Sequence, residues 1–315
     1  GDTRAGTVAD LFEAYTGHLK SSGKASWKET EKGLNKIADT LGRHRPARDI
    51  TPVEIVDVIR PIYDRGARSM ADHVRGYIRS AFSWGLKSEH DYRSTTPRRF
   101  GLVHNPAASI PTEPYVPSNR WLDEEEFRRL YRWLECPDTP VHPPYTRAVR
   151  LIMLTGQRVD EIARLHVDQW DAKERILDWS KTKNGKPHAI PVPNVAAELL
   201  DAIKPNSYGW LFPSAMDPSR PVSHQTLYSF IWRQREREVI PIVTNRDLRR
   251  TWKTLAGKAG LSKEIRDRIQ NHTLQDVSSK AYDRWSYMPE KRAAMKQWDN
   301  FVRGIINPKR SKLVV

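Results

Sequence analysis

Leu154-Thr155-Gly156-Gln157-Arg158-Val159-Asp160-Glu161-Ile162 is the stretch on which the reading of the fold turns. Upstream of it, Val149, Leu151, Ile152 and Leu154 recur at helical spacing and lead into the Thr-Gly-Gln-Arg turn. Downstream, Arg175-Ile-Leu-Asp-Trp179 and His188-Ala-Ile-Pro-Val192 are short and β-prone. Between these two runs lies Ser180-Lys-Thr-Lys-Asn-Gly-Lys-Pro187, in which Asn184-Gly185 predicts a hairpin. The rest of this half reads as helical, from an acidic start at Leu122-Asp-Glu-Glu-Glu-Phe127 to a terminal amphipathic helix from Pro289 with Met295, Trp298, Phe301 and Val302.

The other half, residues 1–112, carries helical periodicity only. Thr7 to Asp10 opens a segment with Leu11, Phe12 and Tyr15 on one side, and a second segment runs through Trp27, Leu34, Ile37 and Leu41. Thr51, Pro52 and Glu54 have the pattern of a capping box, with proline just inside the helix. A fourth helix carries Met70, Val74, Tyr77, Ile78, Phe82 and Trp84; the spacing of its aromatic residues favours core packing over a base-stacking surface. The proline-rich stretch from Asn105 to Pro117 reads as an extended interdomain linker. The expected organisation is a helical domain over 1–112, a linker at 113–121 and a second domain over 122–315.

The chain has 315 residues, a length that fits two domains, and a formal net charge of +15. Residues 1–112 hold 18 basic against 13 acidic side chains, and the remainder 35 against 25. Both halves are therefore basic, as a protein gripping a polyanion from two sides needs, and nucleic acid is the leading partner class. No apolar run approaches the ~20 residues of a spanning helix. The single cysteine, Cys136, excludes an intrachain disulfide, speaks against a cysteine-based zinc site and makes a reducing compartment the default. No metal-binding motif stands out.

Four pieces of the second half need a common explanation: Thr155-Gly-Gln-Arg158-Val-Asp-Glu161, the lysine-bearing hairpin, Asn245-Arg246-Asp-Leu-Arg249-Arg250-Thr251, and Asn271-His272 followed by Ala281-Tyr282-Asp283-Arg284. Taken singly, each has an ordinary reading as a surface cation or a packing residue. In this order and spacing the chain resembles the tyrosine recombinase (phage integrase) family, and the stretch from Tyr282 to Trp298 resembles prophage and genomic-island integrases. The resemblance implies a mainly α fold: a helical, SAM-like core-binding domain, then a catalytic domain of helices with a small antiparallel β-sheet. It implies that Arg158 is the first catalytic arginine and Glu161 its acidic companion. Lys183, eight positions before Pro191, matches the hairpin lysine; Arg246 and Arg249 occupy the His-x-x-Arg box; His272 matches the histidine of the third box, and Tyr282 the nucleophile. Arg246 stands where the commonest pattern has histidine, and an arginine stays protonated at ordinary pH, which argues against proton transfer at that position.

These residue types suit one chemistry. A phosphodiester is anionic and resists attack, and a tyrosine of pKa about 10 needs nearby positive charge to act as a nucleophile. Two guanidiniums can bind the non-bridging oxygens and stabilise the transition state. A lysine can protonate the leaving 5′ oxygen. The resemblance implies a 3′-phosphotyrosine intermediate, no metal and no ATP. It implies integration and excision of a mobile element at double-stranded DNA attachment sites, by a homotetramer joined through the C-terminal helix, in the bacterial cytoplasm or nucleoid. A host DNA-bending protein, a directionality factor and a further N-terminal arm-type DNA-binding domain ahead of Gly1 belong to the same expectation. Candidate DNA contacts are Lys28, Lys32, Arg75, Arg79, Lys181, Lys186 and Arg233. Two alternatives stay open: a type IB topoisomerase or resolvase of the same chemistry, and a non-catalytic DNA-binding regulator on this fold. Tyr287 is an alternative nucleophile.

Overall fold

The computed structural model describes residues 5–92, 99–114, 118–180, 182, 185, 187–237, 239–272 and 287–308. The chain divides into two compact units, Gly1–Pro117 and Ser118–Val315.

The first unit is built on four helices, α1 (Val8–Ser21), α2 (Trp27–Leu41), α3 (Pro52–Asp64) and α4 (Arg68–Ser88). Local chemistry sets where two of them start. The Thr7 hydroxyl accepts from the Asp10 amide at 3.2 Å while the Asp10 carboxylate accepts from the Thr7 amide at 2.9 Å. Thr51 and Glu54 form the same reciprocal pair, with Pro52 in the first turn, so both ends satisfy amides that helix geometry orphans. The helices close on Leu11, Phe12, Leu34, Ile37, Ile55, Ile78 and Phe82, all buried. The aromatic residues of α4 belong to this packing: Phe82 meets Phe12 edge to face at 6.2 Å, and Tyr77 and Trp84 lie against the same core.

The first part of the proline-rich stretch is part of this unit. Asn105 Nδ2 donates to the Arg79 carbonyl and the Ser83 hydroxyl, both at 2.8 Å, Arg75 Nε donates to the Ile110 carbonyl at 2.7 Å, and Ala107 is fully buried. These bonds tie residues 105–110 to α4, where composition alone suggests a free extended segment. On the far side of residues 115–117, Arg120 pairs with Glu126 and Leu122 is buried in the second core.

The second unit runs through α5 (Glu124–Glu135), α6 (Pro143–Thr155), the short α7 (Val159–Ala163), strands β1 (Trp170–Asp171), β2 (Ile176–Trp179) and β3 (His188–Pro191), then α8 (Asn194–Asp201), α9 (His224–Glu236), α10 (Asn245–Lys258), α11 (Lys263–Ile269) and α12 (Met288–Ile306). The three strands form one antiparallel sheet in the order β1-β2-β3, with Trp170 opposite Leu177, Ile176 opposite Pro191 and Trp179 opposite His188. The β2–β3 pair is the hairpin expected from Asn184-Gly185. Gly185 sits at φ +74° and its amide donates to the Thr182 carbonyl at 2.8 Å, a turn that suits glycine. Strand β1 has two residues, too few to show alternation. The mainly helical fold with a small antiparallel sheet is the expected class.

The terminal helix turns its apolar stripe inward. Its stripe of Met295, Trp298 and Val302, continued by Ile305 and Ile306, is buried within its own unit. Trp298 Nε1 donates to the Leu154 carbonyl at 2.7 Å, Asp299 Oδ1 accepts from the Val195 amide at 2.8 Å, and Arg128 Nε donates to the Ile305 carbonyl at 2.7 Å. Of the two readings of this apolar face, packing on a neighbouring subunit or docking on its own domain, the single chain takes the second, and the face is a wall of this core. An amphipathic stripe says only that a face is covered, and here α5, α8, α11 and β3 pack against the helix while Trp298 bonds to α6.

Candidate active site

The site begins at the turn between α6 and α7. Gly156 caps α6 in the left-handed region, at φ +66°. A Cβ there would lie 2.4 Å from the Trp252 ring, so both backbone and packing require glycine. Arg158 then caps α7. Its Nη1 donates to Glu161 Oε1 at 2.9 Å, and the same carboxylate faces the Arg158 amide at 3.4 Å through Oε2. Glu161 is buried, so it braces both the guanidinium and the helix start. Arg158 Nη2 donates to the Asn271 carbonyl at 2.9 Å.

Arg249 arrives from α10, whose start is capped reciprocally by Thr244 and Asp247. Its Nη1 donates to the Gly156 carbonyl at 2.8 Å and its Nη2 to the Gln270 carbonyl. Two guanidiniums thus seize the carbonyls of neighbouring residues, Gln270 and Asn271, with His272 next in the chain. Burial, and then the Arg158 charge beside it, push the Arg249 guanidinium down to about 10, against a smaller upward pull from Glu161; it remains cationic at neutral pH. Each guanidinium has five N–H donors, and the bonds above use two on each. Arg246, one turn earlier on α10, is exposed and has no partner among the described residues.

Asn271 takes the left-handed conformation, φ +50°, which asparagine tolerates better than most residues. Its Nδ2 donates to the Thr182 hydroxyl at 3.1 Å, joining the third box to the hairpin. His272 Nδ1 lies 2.9 Å from Asp267 Oδ1 on α11, and Lys253 of α10 bonds the same oxygen. Burial lowers the His272 pKa, Asp267 raises it, and Arg249 and Lys253 lower it, with a net downward shift.

A buried layer beneath the site was not legible in the sequence. Gln157 is fully buried, donates to the carbonyls of Thr155 at 3.0 Å and Ile269 at 2.9 Å, and faces His188 Nε2 at 3.2 Å. His188 Nε2 also reaches the Ile269 carbonyl at 3.0 Å, and its ring stacks on Trp179. Two acceptors on one nitrogen require Nε2 to carry the proton. Gln270 Nε2 donates to the carbonyls of Gly156 and Arg249. Lys253 and Asp267 were missed as well. Lys253 had a signal, four residues beyond Arg249 on the same helix face; the others are bonds between distant segments.

The structure therefore gathers Arg158, Glu161, Arg249 and His272 at one place. Lys181, Lys183, Lys186 and Tyr282 lie outside the described residues. Tyr287 caps α12 and its ring lies under the Arg268 guanidinium, 3.4 Å from its centroid. Lys28, Lys32, Arg79 and Arg233 are exposed on α2, α4 and α9, whereas Arg75 is half-buried and holds Ile110. Among the described residues no three His, Cys, Asp or Glu side chains gather as a metal site, and no helix is long and apolar enough to cross a membrane.

Comparison with known proteins gives the same outline. The model of the phage integrase family matches residues 120–282, and that of the phage integrase central domain matches residues 11–98. Prophage integrase IntA of Escherichia coli (strain K12) is 26% identical over 155 residues, covering 48% of this chain and 37% of its own length. Prophage integrase IntF of the same organism is 22% identical over 294 residues, covering 90% of this chain and 53% of its own. The chain thus spans about a third to a half of the length of these relatives. A lambda integrase tetramer bound to a Holliday junction shares the fold, with a TM-score of 0.65 and 20% identity over 88% of this chain and 80% of that one.

Proposed function

The chain belongs to the phage integrase family, and from that premise we propose that it is a site-specific tyrosine recombinase, a DNA strand-transferase that integrates and excises a mobile element. The observation that carries this reading is the pair of guanidiniums. Arg158 and Arg249 are held side by side against adjacent carbonyls, and one carboxylate, Glu161, answers them. Two like charges partly out of water are costly unless an anion joins them. A phosphodiester supplies that anion, and its non-bridging oxygens match the forked donors.

The chemistry follows from the groups in place. The guanidiniums stabilise the charge that gathers on the phosphorus oxygens during in-line attack. Their bonds to backbone carbonyls fix them before substrate arrives, so little reorganisation is needed in the transition state. Tyr282 is the attacking group, and a 3′-phosphotyrosine forms as the 5′ oxygen leaves. Lys183 protonates that oxygen, and Arg246 contacts phosphate as a fixed charge rather than as a proton donor. The phosphotyrosine conserves the bond that is remade on religation, so no ATP is needed, and the two guanidiniums and Lys183 take the charge-stabilising and proton-donating parts that a metal would otherwise take. Lys28, Lys32, Arg79 and Arg233 contribute contacts to the duplex backbone, and Arg75 contributes through the donors that Ile110 leaves free. The active assembly is a tetramer on paired DNA sites, held by surfaces other than the buried stripe of α12.

The test is a nicked suicide duplex carrying the element's own junction, incubated with the protein in EDTA and resolved in SDS. The wild type and Tyr287→Phe form a covalent adduct, and Tyr282→Phe forms none. An adduct lost only with Tyr287→Phe would reassign the nucleophile. No adduct from wild type on a duplex that it binds would refute the catalytic reading.

A further inference from the structure

Behind His272 lies a pair that the chemistry above does not use. Asp267 Oδ1 accepts from Lys253 Nζ and stands 2.9 Å from His272 Nδ1, while Lys253 Nζ is 3.3 Å from that same nitrogen. The Asp267 side chain is 14% exposed and that of His272 39%, so the carboxylate sits beneath the ring and the ring reaches solvent. Burial raises the Asp267 pKa, but hydrogen bonds from Lys253 and His272 outweigh it and hold the carboxyl below its ordinary value. Asp267 is therefore an anion and an acceptor only. A bare Nδ1 would place a lone pair against that oxygen. A proton on Nδ1 makes a charge-assisted bond to Asp267 at 2.9 Å instead, shorter than the 3.3 Å at which a bare Nδ1 would accept from Lys253, whose ammonium already donates to Asp267. The neutral ring then has its lone pair on Nε2, which has no partner among the described residues.

We propose that Asp267, with Lys253 as its counterion, is a positioning residue that locks His272 as the Nδ1–H tautomer and so makes Nε2 a proton acceptor for strand cleavage. This rests on the reading of Tyr282 as the nucleophile. In the step, the tyrosine O–H proton passes to His272 Nε2 as the tyrosine oxygen bonds to phosphorus. The bond from phosphorus to the 5′ oxygen breaks, and its electron pair takes a proton from Lys183. His272 becomes an imidazolium, which Asp267 stabilises, and religation returns the proton. Among the described residues, the charged groups facing the ring are Arg249 and Lys253 from α10 and Asp267 from α11. The two cations and burial keep the ring neutral near pH 7, as a base requires.

Two measurements test the proposal. On the intact chain without DNA, labelled with ¹⁵N-histidine, long-range ¹⁵N–¹H correlation near neutral pH reads the tautomer of His272, assigned by its loss in His272→Gln. The expected pattern is Nδ1 protonated and Nε2 bare; the opposite tautomer overturns the proposal whether or not the chain cleaves DNA. The second is the pH profile of adduct formation. Asp267→Asn lowers the plateau about tenfold or more and, by removing the group that holds the proton on, moves the acid limb to lower pH. Lys253→Met removes a cation and moves the limb to higher pH. The Asp267→Asn/His272→Gln double variant is no slower than His272→Gln alone. An unmoved acid limb in both single variants, or independent losses in the double variant, would show that Asp267 only braces the fold. Failure of the function reading is separate: it appears as no adduct from wild type, with the tautomer result still deciding the proposal.

Discussion

Acidification bears most heavily on one buried side chain, His188. The ring is 6% exposed, pressed on Trp179, with Nε2 shared between Gln157 and the Ile269 carbonyl. Burial first, and then the Lys291, Arg158 and Arg249 charges, push its pKa down from 6.5 to about 3 against the smaller upward pull of the Ile269 bond. The folded state therefore refuses a proton that the unfolded chain accepts below pH 6.5, and stability falls as pH falls through the window from 6.5 to about 3. At about 1.4 kcal/mol per pH unit, the loss reaches about 2 kcal/mol near pH 5 and about 5 kcal/mol when complete. The assay is urea unfolding near pH 7.5 and pH 5, followed by tryptophan emission, since Trp179, Trp252 and Trp298 of the second unit are buried and become exposed on unfolding. His272 has the same direction of shift, so wild type alone does not separate the two. His188→Gln keeps a donor near the same place and removes the titration. The difference between wild type and His188→Gln isolates His188, and the variant should retain about 2 kcal/mol more of its stability on going from pH 7.5 to pH 5. The upper part of the window lies above the ordinary range of free carboxylates; Glu54, held by Arg45 first and then Thr51, is lowered to about 2. Equal pH dependence in wild type and variant would refute the argument that His188 is neutral and buried.

Two further outcomes follow from packing. Gly156→Ala combines a left-handed backbone with a Cβ 2.4 Å from Trp252; it should cost about 2–4 kcal/mol in urea unfolding, and adduct formation should fall as well, because the displaced carbonyl holds Arg249. An unchanged midpoint would show that the turn adapts. Trp298→Ala removes a fully buried indole bonded to Leu154 and should cost about 3–5 kcal/mol, with the DNA-free oligomeric state by light scattering unchanged; a change of oligomer with little loss of stability would restore α12 as an exchanged element.

Short-range chemistry made much of this protein legible. The Thr51-Pro52-Glu54 start of α3, the acidic start of α5 and the Gly185 turn each depend on neighbours in the chain, and each stands as read. The order of the charged boxes was enough to bring Arg158, Arg249 and His272 to one place, because a family pattern encodes the juxtaposition even where physics cannot derive it from a single chain. Arg75 shows the opposite limit. Composition marks it as a cation free to meet phosphate, yet one of its donors holds Ile110, a partner 35 positions away.

What the tertiary structure decided are the relations that a linear pattern leaves degenerate. Two residues of β1 carry no alternation. The stripe Met295, Trp298 and Val302 specifies that a face is covered, since apolar area leaves water at about 25 cal/mol per Å² whichever surface covers it; only the fold shows that α5, α8, α11 and β3 do so. The layer under the site is of the same kind. Gln157, His188 and Ile269 are joined across 31 and 81 positions, and Lys253, Asp267 and His272 across a helix turn and a loop. Such bonds form because a buried polar atom left without a partner costs free energy, and the partner is whichever residue the packing delivers. The sequence by itself determined the types of groups and the local turns that aim them; the tertiary structure determined which of them share a proton or a charge.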